Sequence, residues 1–372
     1  MKHMTALLAL ALLATLLPAQ ESQFDYSVSP RFWGATVGGR YALEPPAPDT
    51  VETSIVGYLS GAYESVGYYR APDFSLFTDG DAGFPAEAAN FNRLDTWWQL
   101  GIQQGILPRS DVSDDLAVVF AYYRGRYDLP FPDPDNPDLF DSSTLPGADG
   151  SLLGSVHAGL AFSNIVDAPI VKTRRGILTE LVLQWGPSFL HNSVIGSASF
   201  TRTTLSARGF LPIFVLPPRN DKNVFSSYLA AFAALDWATG PDIPMEVRST
   251  FGLRSERAGL GGSVRGFESR RFDATLKAVA NVEVRMNLPA IVLPGLIPGL
   301  LIYTDAGYFS DLDQLSPVAE EQSGTLFSSG GGFYLDVLDI AEFVFYTNYL
   351  WDPASIEGKH WMPFSLGFGF HF

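Results

Sequence analysis

The sequence predicts an all-β fold, a transmembrane antiparallel β-barrel, and three observations carry that prediction. The first is period-two alternation. Lys277, Asn281, Glu283, Arg285 and Asn287 alternate with Leu276, Ala278, Ala280, Val282, Val284, Met286 and Leu288, so a strand here has one polar and one apolar face. The second is the C-terminus. Phe364, Leu366, Phe368, Phe370 and Phe372 form one large apolar face, and Ser365, Gly367, Gly369 and His371 form a small or polar one. The first face suits lipid and the second a lumen. The third is composition. The chain is 47% hydrophobic, 13% aromatic and 17% charged, where soluble domains carry about 25% charge. Yet no internal run approaches the ~20 apolar residues of a membrane helix. The apolar stretch 290–302 is broken by Pro294 and Pro298 and reads as a turn leading into a strand. A membrane chain without such helices must satisfy its backbone in a closed barrel.

The elements follow in order. Lys2 and His3 precede an apolar core at 6–17, which ends at Pro18-Ala19. Residues 1–19 are therefore expected to be a secretory signal, its core too short to span a bilayer. Residues 20–372 are expected to form the barrel, with about a dozen residues ahead of the first strand. Strands are expected at 32–43, 53–70, 96–106, 116–128, 152–163, 177–185, 194–206, 224–237 and 246–254. Five more follow at 276–288, 299–308, 326–337, 341–350 and 364–372. Two long polar stretches, 71–92 and 130–150, then fall on the end that should carry short turns, given both chain ends in the periplasm. That mismatch predicts strands missing from the count.

Between the ninth and tenth of these segments lies Gly259-Leu260-Gly261-Gly262-Ser263, followed by Val264-Arg265-Gly266-Phe267. The glycines are too flexible for a strand interior. On the upstream side Glu246, Arg248, Thr250 and Arg254 alternate with Val247, Phe251 and Leu253. A lone Arg on a loop between such strands suggests a loop tucked into the lumen. A guanidinium withdrawn from water needs carboxylate acceptors. By strand parity Glu283 shares the face of Asn281 and Arg285, and Asp305 that of Tyr303 and Gly307. Both acids point into the lumen, within reach of Arg265. Gly266 permits close approach or a positive φ, and Phe267 can wedge against the wall.

These residues form three motifs in order: Val264-Arg265-Gly266-Phe267, Asn281-Val282-Glu283-Val284-Arg285 and Tyr303-Thr304-Asp305-Ala306-Gly307. Together they resemble the BamA/TamA-like superfamily of outer-membrane barrels, the bacterial surface antigen family, clearly so over 176–372. The resemblance implies sixteen strands, with fourteen as the alternative, and an extracellular loop folded back into the barrel. It implies that Arg265 pairs with Asp305 and Glu283. It implies a terminal aromatic signal, Phe368, Phe370 and Phe372, read by the barrel-assembly machinery. It implies a seam between the first strand, with Gly34, Gly38 and Gly39, and the last, with Gly367 and Gly369. Glycines weaken strand pairing there, though small residues also accommodate curvature. The family's periplasmic POTRA domains and patatin-like lipase domain are not expected here. The implied role is outer-membrane biogenesis: protein insertion or translocation, or lipid transfer. Outer-membrane lipids surround the barrel, and a separate periplasmic partner would assist it. The alternative is a passive pore or surface antigen.

Other classes fit poorly. A net charge of −16 argues against nucleic acid, which needs a basic footprint. The acids Asp133, Asp135, Asp138 and Asp141 read as a solvated loop, lacking the Gly and distal Glu of an EF-hand. With no cysteine there are no disulfides or thiolate sites. His157 is expected in the lumen with Leu153, Ser155 and Gly159, but no G-x-S-x-G elbow accompanies it. Gly259-Leu260-Gly261-Gly262 lacks the Lys-Ser/Thr of a phosphate loop. No enzyme activity, cofactor or metal is expected.

Overall fold

The computed structural model describes residues 24–31, 33–44, 49–66, 91–108, 115–131, 150–219, 223–267, 270, 272–290, 295–310, 323–337, 341–351 and 360–368. The strands are β1 (Phe24–Arg31), β2 (Gly34–Ala42), β3 (Thr53–Val66), β4 (Phe91–Leu107), β5 (Ala117–Phe131) and β6 (Ser151–Ser163). Then come the short β7 (Val166–Ala168), β8 (Thr173–Gly186), β9 (Ser199–Val215) and β10 (Ser226–Asp242). Two-residue strands β11 (Thr250–Phe251) and β12 (Arg257–Ala258) follow. The last five are β13 (Leu276–Asn287), β14 (Leu296–Ser310), β15 (Ser323–Val337), β16 (Ala341–Leu350) and β17 (Trp361–Phe368). Helical turns α1 (Met245–Arg248) and α2 (Leu260–Ser263) lie between β10 and β13. No helix among the described residues is long and apolar enough to cross a membrane.

Fourteen strands form one antiparallel meander, β1 to β6, β8 to β10 and β13 to β17, each paired with the next. β7 pairs only with β8, and β11 with β12. Among the described residues no ladder joins β1 to β17. The two faces separate by parity as the alternation predicts. On β13 the lumenal set Lys277, Val279, Asn281, Glu283, Arg285 and Asn287 is buried. Outward-facing Val282, Leu300 and Ile302 are exposed, as lipid-facing side chains are.

The structure revises the strand list in two places. The segment 24–31 is a strand, β1, rather than a lead-in. Its alternation of Phe24, Tyr26 and Val28 with Asp25, Ser27 and Ser29 ends in Pro30 and a tight turn at which Trp33 has φ +51°. Conversely, 246–254 is not a barrel strand. Pro244 precedes α1 and starts a helical turn with its φ preset. Residues 250–251 then pair with 257–258, while β10 pairs directly with β13. Residues 246–253 are all buried, polar and apolar alike, so their alternation does not mark a lumenal and a lipid face. The count among the described residues is therefore fourteen, the alternative. Most of the two stretches in which further strands were expected, 71–92 and 130–150, lies outside the described residues, as do Asp133 to Asp141 and the 1–19 signal.

The extra crossing at β1 also removes the parity mismatch. Connections 67–90, 132–150, 187–198, 243–275, 311–322 and 351–360 all fall at one end. The two-residue connection 32–33 shares that end, and 43–52, 108–116, 164–172, 216–225, 288–295 and 338–340, none longer than ten residues, fall at the other. Long loops at one end and short turns at the other is the arrangement of outer-membrane barrels.

The connection 243–275 folds inward and fills much of the lumen. Phe251, Leu253, Leu260, Val264, Phe267 and Phe272 pack with wall residues Phe210, Phe232, Phe309, Leu326 and Leu350 into one apolar cluster. The chain thus has an interior core made by one loop against its own wall.

Candidate functional site

Arg265 sits at the tip of this loop, after α2, with 4% of its surface exposed. Its Nε donates to Asp305 Oδ2 at 2.8 Å, and its Nη2 to Asp305 Oδ1 at 2.9 Å. This bidentate fork is the strongest geometry available to the pair. Nη1 donates to Glu283 Oε2 at 2.5 Å, and the Arg265 backbone N–H adds a bond to Asp305 Oδ2 at 3.1 Å. The guanidinium also lies over the Tyr303 ring, 3.4 Å from its centroid. Burial alone would lower the arginine's proton affinity, but the bonds to Asp305 and the charges of Asp305 and Glu283 raise it overall.

The strands position each partner. Asn281 and Asp305 face each other across the β13–β14 ladder, as do Glu283 and Tyr303. The acids thus sit on adjacent strands, one step apart, on the lumenal face. The other oxygen of Glu283 accepts from Arg285 Nε, and Arg285 reaches the Tyr228 hydroxyl at 3.3 Å. Asn281 Nδ2 donates to Ser263 O at 2.9 Å and holds the loop just before the tip. The Tyr303 hydroxyl donates to Asn348 Oδ1 on β16, and Asn348 Nδ2 donates to Ser365 Oγ on β17 at 3.0 Å.

Gly266 has φ +93°, and a Cβ there would press on Leu350 and Asn348. Only glycine meets both demands cheaply. Phe267 is buried and packs edge-on against Phe272, centroids 5.7 Å apart, and Phe272 packs on Phe309. All five residues expected to form the lock are brought together.

The same loop is fastened at two further places that sequence reasoning missed. Glu246 on α1 reaches across the lumen. It pairs with Arg93 of β4 at 3.0 Å and with Arg126 of β5 at 3.0 Å. Arg126 also meets Glu256 of the loop at 2.7 Å and Asp95 at 2.9 Å, while Arg93 meets Asp128 at 2.9 Å and Glu64 at 3.1 Å. Burial alone would push the Glu246 carboxyl up, but Arg126 and Arg93 outweigh it and hold the group well below the usual carboxylate range. Asp236 of β10 is the third fastening. It binds Arg202 at 2.8 Å, Lys277 at 3.2 Å and the Gly252 N–H at 3.0 Å. The signal available in the sequence was Arg93-x-Asp95 and Arg126-x-Asp128, opposite charges sharing one lumenal face on two neighbouring strands.

The expected seam is only partly placed. Gly34, Gly38 and Gly39 lie on β2, which is paired on both sides, with β1 outside it. Sequence alternation places them on the first strand because β1, ending in Pro30 and the turn at Trp33, does not stand out as one. A Cβ on Gly34 would press on Ala62, and one on Gly38 on Tyr58, so these glycines admit neighbouring side chains within the sheet. Gly367 lies on β17 opposite Val344, and Phe368 opposite Phe343. Gly369, Phe370 and Phe372 lie outside the described residues. His157 is buried in the lumenal wall as its parity predicts, stacked on Tyr122, with Nε2 2.9 Å from Ser155 Oγ. No acidic group is bonded to its Nδ1, so the described residues assemble no triad around it. They hold no group of three or more acidic or His side chains suited to a metal.

No family model matches the sequence, and no curated protein matches it. Solved structures do. CdiB from Escherichia coli superposes with a TM-score of 0.52 at 12% identity, over 90% of this chain and 52% of that one. CdiB from Acinetobacter baumannii gives 0.49 at 11% identity, over 90% and 49%. BamA from Haemophilus ducreyi lacking POTRA domains 1–3 gives 0.49 at 11%, over 92% and 63%. This chain spans about half the length of the CdiB chains. At 12% identity the likeness is one of fold: the chain has the β-barrel architecture of E. coli CdiB, with the Arg265 lock built into it.

Proposed function

We propose that this protein is an outer-membrane β-barrel of the BamA/TamA-like type, working in envelope biogenesis by inserting or translocating proteins or by transferring lipid. Residues 1–19 are its secretory signal and 20–372 its barrel, and it has no enzymatic activity. The observation that carries the reading is the lock itself. Arg265, Glu283 and Asp305 meet inside a barrel of CdiB-like fold, and all three lie in segments that resemble that superfamily's motifs. Outer-membrane lipids contact its apolar face, the host's assembly machinery inserts it, and a separate periplasmic factor delivers its clients.

The test is depletion in the host, followed by quantification of outer-membrane proteins and lipids. A broad fall in other barrels, or loss of lipid asymmetry, is expected. An unchanged envelope with altered uptake of small solutes would replace the biogenesis reading with a passive pore.

A further inference from the structure

We propose that the contact between the in-folded loop and the β4–β6 and β8 wall is a gated path for small hydrated ions, closed in this conformation by Glu246 and Glu256 seated on wall arginines. The proposal rests on the membrane-barrel reading above and adds a conduit that the Arg265 lock does not supply.

The path begins at the short-turn end. A cavity of about 480 Å³ opens there between β1 to β6, β8 and the loop. It is lined by Arg40, Tyr58, Gln103 and Asp115 among others, and roofed by Arg254 of the loop. Arg254 is bound to Glu180 of β8 at 2.5 Å, and its backbone carbonyl accepts from Arg124 of β5 at 2.9 Å. Beyond it Arg124 also lines a second void of about 10 Å³, with Arg126, Ser155, Gln184, Glu246 and Glu256. That is room for about one water. Gln184 Oε1 in this lining is buried without a hydrogen-bond partner, as are Tyr122 Oη and His157 Nδ1 of the same wall. Buried polar atoms of this kind call for water. The remaining barrier is the Glu246 cluster, with Arg93 and Arg126 behind it.

The charges are arranged across the path. Arginines stand on the wall, at Arg93 and Arg126, and carboxylates face them from the loop, at Glu246 and Glu256. Opposite charges facing each other across a narrow polar gap set up a transverse field that ions and water can occupy once the pairs part. Among the described residues the opposite side of the loop offers no such route. Phe251, Leu260, Val264 and Phe272 are almost fully buried there against apolar wall.

The chain has no cysteine, so single cysteines report access cleanly. Protein reconstituted in liposomes and in planar bilayers would carry Gln103→Cys, Ser155→Cys or Val264→Cys, each probed with a small charged methanethiosulfonate. Gln103→Cys should react fastest. Ser155→Cys should react more slowly, and its modification should reduce conductance. Adding Glu246→Gln should speed the Ser155→Cys reaction by about tenfold or more, because access follows the free energy of local opening. Val264→Cys should stay unmodified in both backgrounds. Conductance that survives full modification of Ser155→Cys overturns the proposal. So does Val264→Cys reacting as fast as Ser155→Cys. If Glu246→Gln loses the heat-modifiable barrel band, the parent-background labelling and block decide alone. A chain that conducts nothing, yet whose depletion disturbs the envelope, overturns the conduit and leaves biogenesis standing.

Discussion

The two ends of the in-folded loop are fastened by the same chemistry in opposite settings. At the β13–β14 wall the loop supplies the arginine and the wall supplies the acids, Glu283 and Asp305. At the β4–β5 wall the loop supplies the acid, Glu246, and the wall supplies Arg93 and Arg126. The polarity is reversed, so the loop cannot dock the other way round without placing like charges together. The settings differ too. Arg265 is backed by an apolar cluster and an aromatic face, whereas Glu246 belongs to a network in which each arginine keeps other acidic partners. One fastening is a single point of failure, and the other is distributed.

Replacing Arg265 with Ala should test this contrast most severely. It leaves Glu283 and Asp305 buried without their shared cation, at a cost of about 3–5 kcal/mol. Protease cleavage of 243–275 and the temperature at which the barrel band collapses should both report it. A wild-type profile would mean that the apolar cluster alone holds the loop. Arg265→Lys should recover little, because an ammonium cannot bridge two carboxylates with a fork.

Gly266→Ala comes next. It meets Leu350 and Asn348 with φ +93°, and strained backbone of this type costs about 1–3 kcal/mol. The same protease assay should show faster cleavage, and no effect would place the glycine outside the lock. Glu246→Gln should cost about as much or less, roughly 1–3 kcal/mol, because Arg93 and Arg126 retain Asp128, Glu64, Asp95 and Glu256. A larger loss than Arg265→Ala would invert the comparison.

The pH dependence sharpens it further. The folded-state pKa of Glu246 lies below its ordinary value of 4.5. Its contribution is therefore fully present above the unfolded value and fades only as pH falls through the depressed one. The stability gap between wild type and Glu246→Gln should stay flat from pH 7 to about 5 and narrow in stronger acid. A gap that closes near pH 6 would mean that the carboxylate is not held by the arginines. The smallest effect is expected at the short-turn end. Lys172 and Asp336 pair at 3.3 Å with both partly exposed, so Asp336→Asn should change stability by about 1 kcal/mol or less.

The Arg265 lock was legible because strand parity has a period of two. Once β13 and β14 are recognised, Glu283 and Asp305 must face the lumen, and a lone loop arginine has few other places to go. Glu246 was not legible for a related reason. Its segment alternates like a strand, and Pro244 is the one local sign that a helical turn begins there instead. Its partner Arg93 is 153 residues away, beyond any pattern that a window can hold. β1 was missed because Pro30 and the turn at Trp33 follow so closely on its alternation. One unread strand shifted the parity of the loops up to β10, where the misread 246–254 restored it, and moved Gly34, Gly38 and Gly39 to the wrong edge.

The hydrogen bonds that leave Tyr303 have a mechanical meaning. Ser365 of β17 holds Asn348 of β16, Asn348 holds the Tyr303 hydroxyl, and the Tyr303 ring lies beneath the Arg265 guanidinium. Gly266 rests on Asn348 and Leu350. The final hairpin is therefore tethered to the loop tip by a four-residue linkage with little slack. A sideways step of the last strand tugs on the arginine, and a loop that lets go slackens that strand. Edge and plug are geared to one another, and neither can report a wholly private motion.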